Sequence, residues 1–227
     1  MLHGSLWDKI IVFALPLAIT GVMQQLLNAA DVVTLGQFVG KNAMAAVGNN
    51  TSMVGLIVSL MMGLSLGANV VIAQNIGANR IDRAQSAVST AFVLATAAGI
   101  FFCAVGEFLV APIFYFLEVP SSVVDMAESY LRIFLMGMPA ISLYNFQAAI
   151  FRSKGDTRTP LIALTVASLV NIILNLIFVL QFDLGVEGVA AATVIANFVS
   201  AIILFRELLR ADGIIKLNLN ALIIDKG

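Results

Sequence analysis

Six long apolar stretches, separated by short polar segments, constrain this chain more than any single motif. A helix needs roughly 20 apolar residues to cross the hydrocarbon core of a bilayer, and such stretches fall at about 10–35, 43–74, 87–116, 126–151, 161–180 and 189–205. The connections between them, 36–42, 75–86, 117–125, 152–160 and 181–188, are too short to hold a soluble domain. Composition agrees: the chain is 60% hydrophobic and 11% charged, whereas soluble domains carry about 25% charged residues. Hydrocarbon offers no hydrogen bonds to the backbone, so each stretch is expected to be a helix that satisfies its own N–H and C=O groups. The expectation is an all-α membrane protein of six transmembrane helices. Residues 1–205 form the transmembrane unit, and 206–227 a cytoplasmic tail or linker. The first stretch is too long for the 7 to 15 residue core of a signal peptide and lacks a small-residue cleavage site, so it reads as a permanent span.

The basic residues set an orientation, because loops rich in Lys and Arg stay in the cytoplasm. With the N-terminus inside, Lys9, Arg80, Arg83, Arg152, Lys154, Arg158, Arg206, Arg210, Lys216 and Lys226 are cytoplasmic, ten of the 12 basic residues. Lys41 falls outside and Arg132 near the outer end of the fourth span, while the outer loops carry Glu118, Asp125, Asp183 and Glu187. Both termini are thus expected in the cytoplasm of a multi-pass protein of the plasma (inner) membrane.

Several function classes are disfavoured. A net charge of -1 without a basic cluster leaves no footprint for nucleic acid, and no phosphate-cradling motif suggests a nucleotide. The single cysteine, Cys103, and the single histidine, His3, leave no multi-cysteine metal site and no His-based catalytic pair within the spans. No enzyme and no resident cofactor are expected.

An ionisable group at membrane depth costs several kcal/mol and marks a functional site or a paired structural one. Asp31 is that group in the first span. Thr20, Gln24, Asn28 and Asp31 are spaced by 4, 4 and 3 residues, which keeps them within an arc of about 80° on one helix face. Ser168, Asn171 and Asn175 in the fifth span, and Thr193, Asn197 and Ser200 in the sixth, each fall within about 60°. Two readings are open: interhelical glue, at about 0.6 kcal/mol per bond, or the wall of a hydrated cavity. The carboxylate favours the cavity, since glue does not need one. Facing lipid would leave these groups unpaired, so the three stripes are expected to converge around Asp31. An oxygen-rich pocket of this kind suits H⁺ or a hard cation such as Na⁺ as a coupling ion.

Other features admit two readings each. Pro16 in the first span breaks the local hydrogen-bond ladder and bends the helix about one turn earlier, either as a moving part or as a static kink. Pro139 and Pro112 invite the same pair of readings. Glu107 reads as an outer-interface residue, and Gly63 with Gly67 forms a GxxxG that supports close helix approach. The nine Met and fifteen Phe line an apolar cavity, fill a core or face lipid.

Taken in order, these segments resemble the N-terminal half of the multidrug and toxic compound extrusion (MATE) family. The resemblance is carried by Pro16 followed fifteen residues later by Asp31 in LLNAADVVTLGQFVG, then GLSLGANVVIAQNIGANRIDRA, FRSKGDTRTPL, NIILNLIFV and GVEGVAAATVIANF. It implies a two-lobe, twelve-helix antiporter that exports organic, often cationic, compounds in exchange for H⁺ or Na⁺, with this chain as one six-helix lobe. It further implies that Asp31 matches the cation-coupling carboxylate of the first helix, Asn171 the fifth-helix Asn of that site, Thr193 the sixth-helix Thr and Tyr130 a fourth-helix tyrosine at the same cavity. Asn175 departs from the family pattern, in which many relatives carry Asp. The second lobe is expected either in the same chain, with 206–227 as the link, or in a homodimer partner. Rival readings are a lipid-linked precursor flippase of the same superfamily, disfavoured because no basic residue lies deep in the spans, and a non-transporting membrane subunit whose polar stripes serve assembly.

Overall fold

The computed structural model describes residues 6–211 and residue 215, and every long element in it is a helix. His3, Lys216, Lys226 and most of the expected tail lie outside the described residues. In chain order the helices are α1 (Leu6–Phe38), α2 (Lys41–Gly77), α3 (Ile81–Phe116), α4 (Val124–Met136), α5 (Met138–Ser153), α6 (Arg158–Leu180) and α7 (Gly185–Arg210). Five are long and apolar enough to cross a membrane alone, and α4 with α5 passes the same test as one span bent by 49°. The chain is a multi-pass membrane protein, with six spans among the described residues when the bent pair counts as one.

The fourth span is broken at Gly137. Pro139 has no N–H to give the carbonyl one turn earlier, and its ring crowds that carbonyl, so the ladder ends at Met136 and restarts at Met138. The turns between helices are tight. Gly40 links α1 to α2 at φ 126°, which a residue with a side chain rarely adopts, and Asn79 turns α2 into α3 at φ 57°. Asp156 starts α6: its Oδ1 accepts from the Arg158 and Thr159 N–H groups at 3.0 Å, and its Oδ2 from the Thr159 hydroxyl at 2.6 Å, satisfying donors left free at a helix start.

Alternating helix direction gathers Arg80, Arg83, Arg152, Lys154, Arg158 and Arg210 at one end of the bundle, here the basic end, and Glu118, Asp125, Asp183 and Glu187 at the other, the acidic end. α5 is the most enclosed element, with every residue from Tyr144 to Phe151 buried. It packs on α2, α3 and α7, while α6 lies against α7 and α1. Two apolar cores result. One, toward the acidic end, joins Leu35, Val110, Phe114, Leu131 and Val186; the other, toward the basic end, joins Ile72, Val88, Ile150, Leu204 and Leu208. Leu15, Val22, Leu26, Phe108 and Ile173 are exposed, as lipid-facing side chains are.

Close helix approach occurs at Gly99, not at Gly63 and Gly67. A Cβ at Gly99 would lie 2.5 Å from the Pro139 Cα, whereas at Gly63 and Gly67 none of the described residues comes within 4 Å. Near the acidic end Glu107 joins an ion triad: Arg132 reaches Glu107 at 2.7 Å and Glu128 at 2.6 Å, tying α4 to α3. These side chains are 40%, 28% and 31% exposed, so each pair contributes less than about 1 kcal/mol. Arg132→Gln should accordingly lower the melting temperature only slightly; a large drop would mean that the triad holds the broken span in place.

Candidate functional site

Asp31 lies seven residues before the end of α1, about 10 Å along the helix, and is buried at 4% exposure. Its Oδ1 accepts from the Asn175 amide at 2.6 Å, and its Oδ2 faces the Thr193 hydroxyl at 3.0 Å. α6 and α7, packed side by side, bring these two residues to α1. Thr193 has a single proton and two acceptors in range, Asp31 Oδ2 and the Val189 carbonyl at 3.1 Å. Asn171 completes the group. With its nitrogen toward the carboxylate it donates to Asp31 Oδ1 at 3.2 Å and accepts from the Thr193 backbone N–H at 3.3 Å; with the amide reversed, its oxygen accepts from Asn175 at 3.2 Å. Such an amide is oriented by its hydrogen-bond network, and the first orientation pairs the carboxylate with a donor.

Every partner of Asp31 is neutral. The described residues contain no ion pair to it, and no three His, Cys, Asp or Glu side chains among them converge as a metal site would require. A buried carboxylate held only by amide and hydroxyl donors keeps most of its desolvation cost uncompensated.

Beside this network is a cavity of about 330 Å³, within the range of small-molecule sites. Gln24, Asn28, Asp31, Tyr130, Asn171, Thr193 and Asn197 line it, as do Val54, Val58, Phe134, Ile141 and Leu164. It opens between α1 and α2, where the lining residues Gln25, Asn28, Gly55 and Ser59 are exposed. Tyr130 is buried and stacks on Phe134 with ring centroids 6.4 Å apart.

Not every expected stripe residue reaches this space. Thr20 is buried but donates to the Pro16 carbonyl at 2.8 Å, and Ser168 donates to the Leu164 carbonyl at 2.8 Å. Neither lines the cavity. Hydroxyls in helices often satisfy themselves this way. α1 runs without interruption through the buried Pro16. Asn175 touches Asp31 from behind the cavity wall. Sequence reasoning missed Gln25, Thr51, Ser59, Tyr144 and Asn145, all of which line the cavity; the polar pair at 144–145 inside an apolar stretch was the available signal.

A bundle of six spans with this buried carboxylate at an open cavity fits what a comparison of sequences finds. The family model described as MatE matches residues 16–177. The chain belongs to the MatE family. Among curated relatives, MatE residues here are 28% identical over 204 positions to the probable multidrug resistance protein YoeA of Bacillus subtilis, covering 88% of this chain and 44% of that protein. They are 31% identical over 200 positions to the probable multidrug resistance protein NorM of Thermotoga maritima, covering 86% and 43%. A solved structure described as MATE in the bent conformation superposes with a TM-score of 0.91 at 25% identity, over 98% of this chain and 50% of that one. An outward-facing multidrug resistance MATE transporter of the MOP superfamily gives 0.89 at 26% identity, over 96% and 48%. The chain spans less than half the length of these curated relatives.

Proposed function

We propose that this chain is the N-terminal six-helix lobe of a cation-coupled multidrug efflux antiporter of the plasma membrane, with its basic end in the cytoplasm. The observation that carries the reading is the buried Asp31, held by neutral Asn175 and Thr193 at the wall of an open cavity. The placement of arginines and lysines at one end supports the orientation, and the names of the relatives support multidrug efflux. The second lobe follows in the same chain, with residues 206–227 as the link, or comes from a partner copy, with those residues as a cytoplasmic tail.

The chemistry follows from charge. Asp31 as an anion carries one uncompensated negative charge in a low-dielectric setting, and binding H⁺ or Na⁺ removes it. A cationic substrate in the cavity gains from the anion and loses from its neutralisation. Ion and substrate thus stabilise opposite states of one carboxylate, and the difference in affinity is what moves a two-state transporter between them. Asn171, Asn175 and Thr193 hold the carboxylate in place; Gln24, Asn28, Tyr130 and Asn197 face the substrate.

The test is transport by the native, full-length protein in proteoliposomes loaded with a fluorescent organic cation. An imposed H⁺ gradient or an imposed Na⁺ gradient is expected to drive movement against the substrate gradient, and the matching ionophore to abolish it. Movement indifferent to both gradients would overturn cation coupling.

A further inference from the structure

The triad of Glu107, Glu128 and Arg132 adds little to stability, yet it places three charges on an outer face of the lobe. On α4, Asp125, Glu128 and Arg132 follow one another at spacings of 3 and 4 residues, and each is at least partly exposed. Tyr130 and Phe134 turn to the cavity from the other side of α4; two residues along a helix is about 200° around it. The charged stripe therefore looks away from the cavity. Met136 on α4 and Phe101 and Phe108 on α3 are exposed beside it, as lipid-facing side chains are.

The depth of the triad is that of a lipid headgroup. α3 has 36 residues, about 54 Å of helix, and the hydrocarbon core is about 30 Å thick. Centred in the membrane, such a helix projects about 12 Å at each end. Glu107 lies nine residues before Phe116, the last residue of α3, or about 13 Å. The triad thus falls where hydrocarbon gives way to headgroups, with Phe101 and Met136 one or two turns deeper.

Arg132 spends three of its N–H groups within the triad. Its Nε and Nη2 donate to Glu128 Oε1 at 3.0 and 2.6 Å, and its Nη1 to Glu107 Oε2 at 2.7 Å. A guanidinium has five N–H groups, so two remain for an outside acceptor. Glu128 Oε2 takes no hydrogen bond from a described residue and is not sealed in, so it is open to an outside donor. Glu107 Oε1 is buried without a partner. Two carboxylates on one guanidinium leave a net negative charge, and Asp125, one turn from Glu128, adds another. Lys41, the other basic residue described at this end, pairs with none of them.

This face complements a ligand that carries a donor cation and, close by, an acceptor anion. We propose that Glu107, Glu128 and Arg132 dock the headgroup of one phosphatidylethanolamine from the leaflet at the acidic end, its ammonium on Glu128 and its phosphate on Arg132. Phosphatidylcholine has the same charges, but its quaternary nitrogen has no N–H; it displaces water from the Glu128 carboxylate and returns no hydrogen bond. Phosphatidylglycerol offers the phosphate without a cation to offset the acidic surroundings. Such a site requires a membrane-spanning chain but not cation-coupled transport, so its test reads binding and not efflux.

The native, full-length protein, delipidated in detergent, is titrated with dioleoyl phosphatidylethanolamine, phosphatidylcholine or phosphatidylglycerol, and the first bound lipid is followed by native mass spectrometry. Phosphatidylethanolamine is expected to half-saturate at a concentration about tenfold below that of either other lipid, as one charge-assisted hydrogen bond gives. Glu128→Gln and, independently, Glu107→Gln should shrink its advantage over phosphatidylcholine below about threefold. Both keep an oxygen for Arg132, and the variants are compared at melting temperatures that match wild type. Equal binding of phosphatidylethanolamine and phosphatidylcholine by the wild type overturns the site whatever the variants do, and is the result if another lobe or subunit covers this face. Tightest binding of phosphatidylglycerol overturns it in favour of a basic site elsewhere. An advantage undiminished in both glutamine variants overturns it as well. None of these results touches the efflux reading, which the gradient experiment decides.

Discussion

Asp31→Asn in the full-length protein is expected to reduce cation-driven efflux to the level of empty vesicles while leaving abundance in the membrane unchanged. The substitution suits this network. The retained oxygen keeps the Asn175 donor at 2.6 Å, and the new amide nitrogen meets the Thr193 hydroxyl oxygen at 3.0 Å. Thr193 is free to accept there, because the Val189 carbonyl at 3.1 Å takes its proton. No hydrogen bond is lost, and the cost of a buried, unpaired charge is removed. The melting temperature should therefore stay level or rise as transport disappears. That combination distinguishes a coupling residue from assembly glue, whose loss lowers stability or breaks a complex. Gradient-driven efflux at wild-type rate from a normally expressed variant would remove Asp31 from the mechanism.

The parts of the site legible in the sequence are those where a helical period and a physical need coincide. Asn171, Asn175 and Thr193 stand at helical spacing in apolar stretches, their amides and hydroxyl need partners, and the described helices bring all three to Asp31. Thr20 and Ser168 share the spacing but not the need, since each hydroxyl is satisfied by a carbonyl of its own helix. Tyr144 and Asn145 were hidden for the opposite reason. α5 is enclosed on all sides, so its polar residues show no amphipathic period against which to stand out. The break at Gly137 was equally opaque: Pro139 marks a disturbed helix, but the 49° bend depends on what the two halves pack against. The GxxxG at Gly63 and Gly67 matched a pattern without a partner among the described residues, while Gly99, outside any such motif, carries the close contact.

Gly99→Ala should be the most damaging single-methyl change in the lobe. In a helix interior, Gly→Ala ordinarily stabilises by about 1 kcal/mol, so the sign here is decided by the contact. The added Cβ would sit 2.5 Å from the Pro139 Cα and 3.1 Å from both the Met138 oxygen and the Pro139 nitrogen. These are backbone atoms, and no rotamer change relieves them. Either α3 withdraws or the kink between α4 and α5 opens, and both pull on the bond from the Ser142 hydroxyl to the Ala95 carbonyl at 2.7 Å. Overpacking typically costs about 1–3 kcal/mol where side chains can yield, and the cost here belongs at or above the top of that range. Gly137→Ala is the informative comparison: its Cβ meets chiefly the Val194 Cγ2 at 2.7 Å, a side-chain atom that can give way, so its penalty should be smaller. Thermal melts of the purified full-length variants should rank wild type above Gly137→Ala and Gly137→Ala above Gly99→Ala. Equal melting temperatures for wild type and Gly99→Ala would show that α3 does not seat against the break. The consequence reaches the cavity, because α5 carries Tyr144 and Asn145 on the segment that Gly99 holds in place, and a displaced α5 moves that wall away from Asn197 and Ser200.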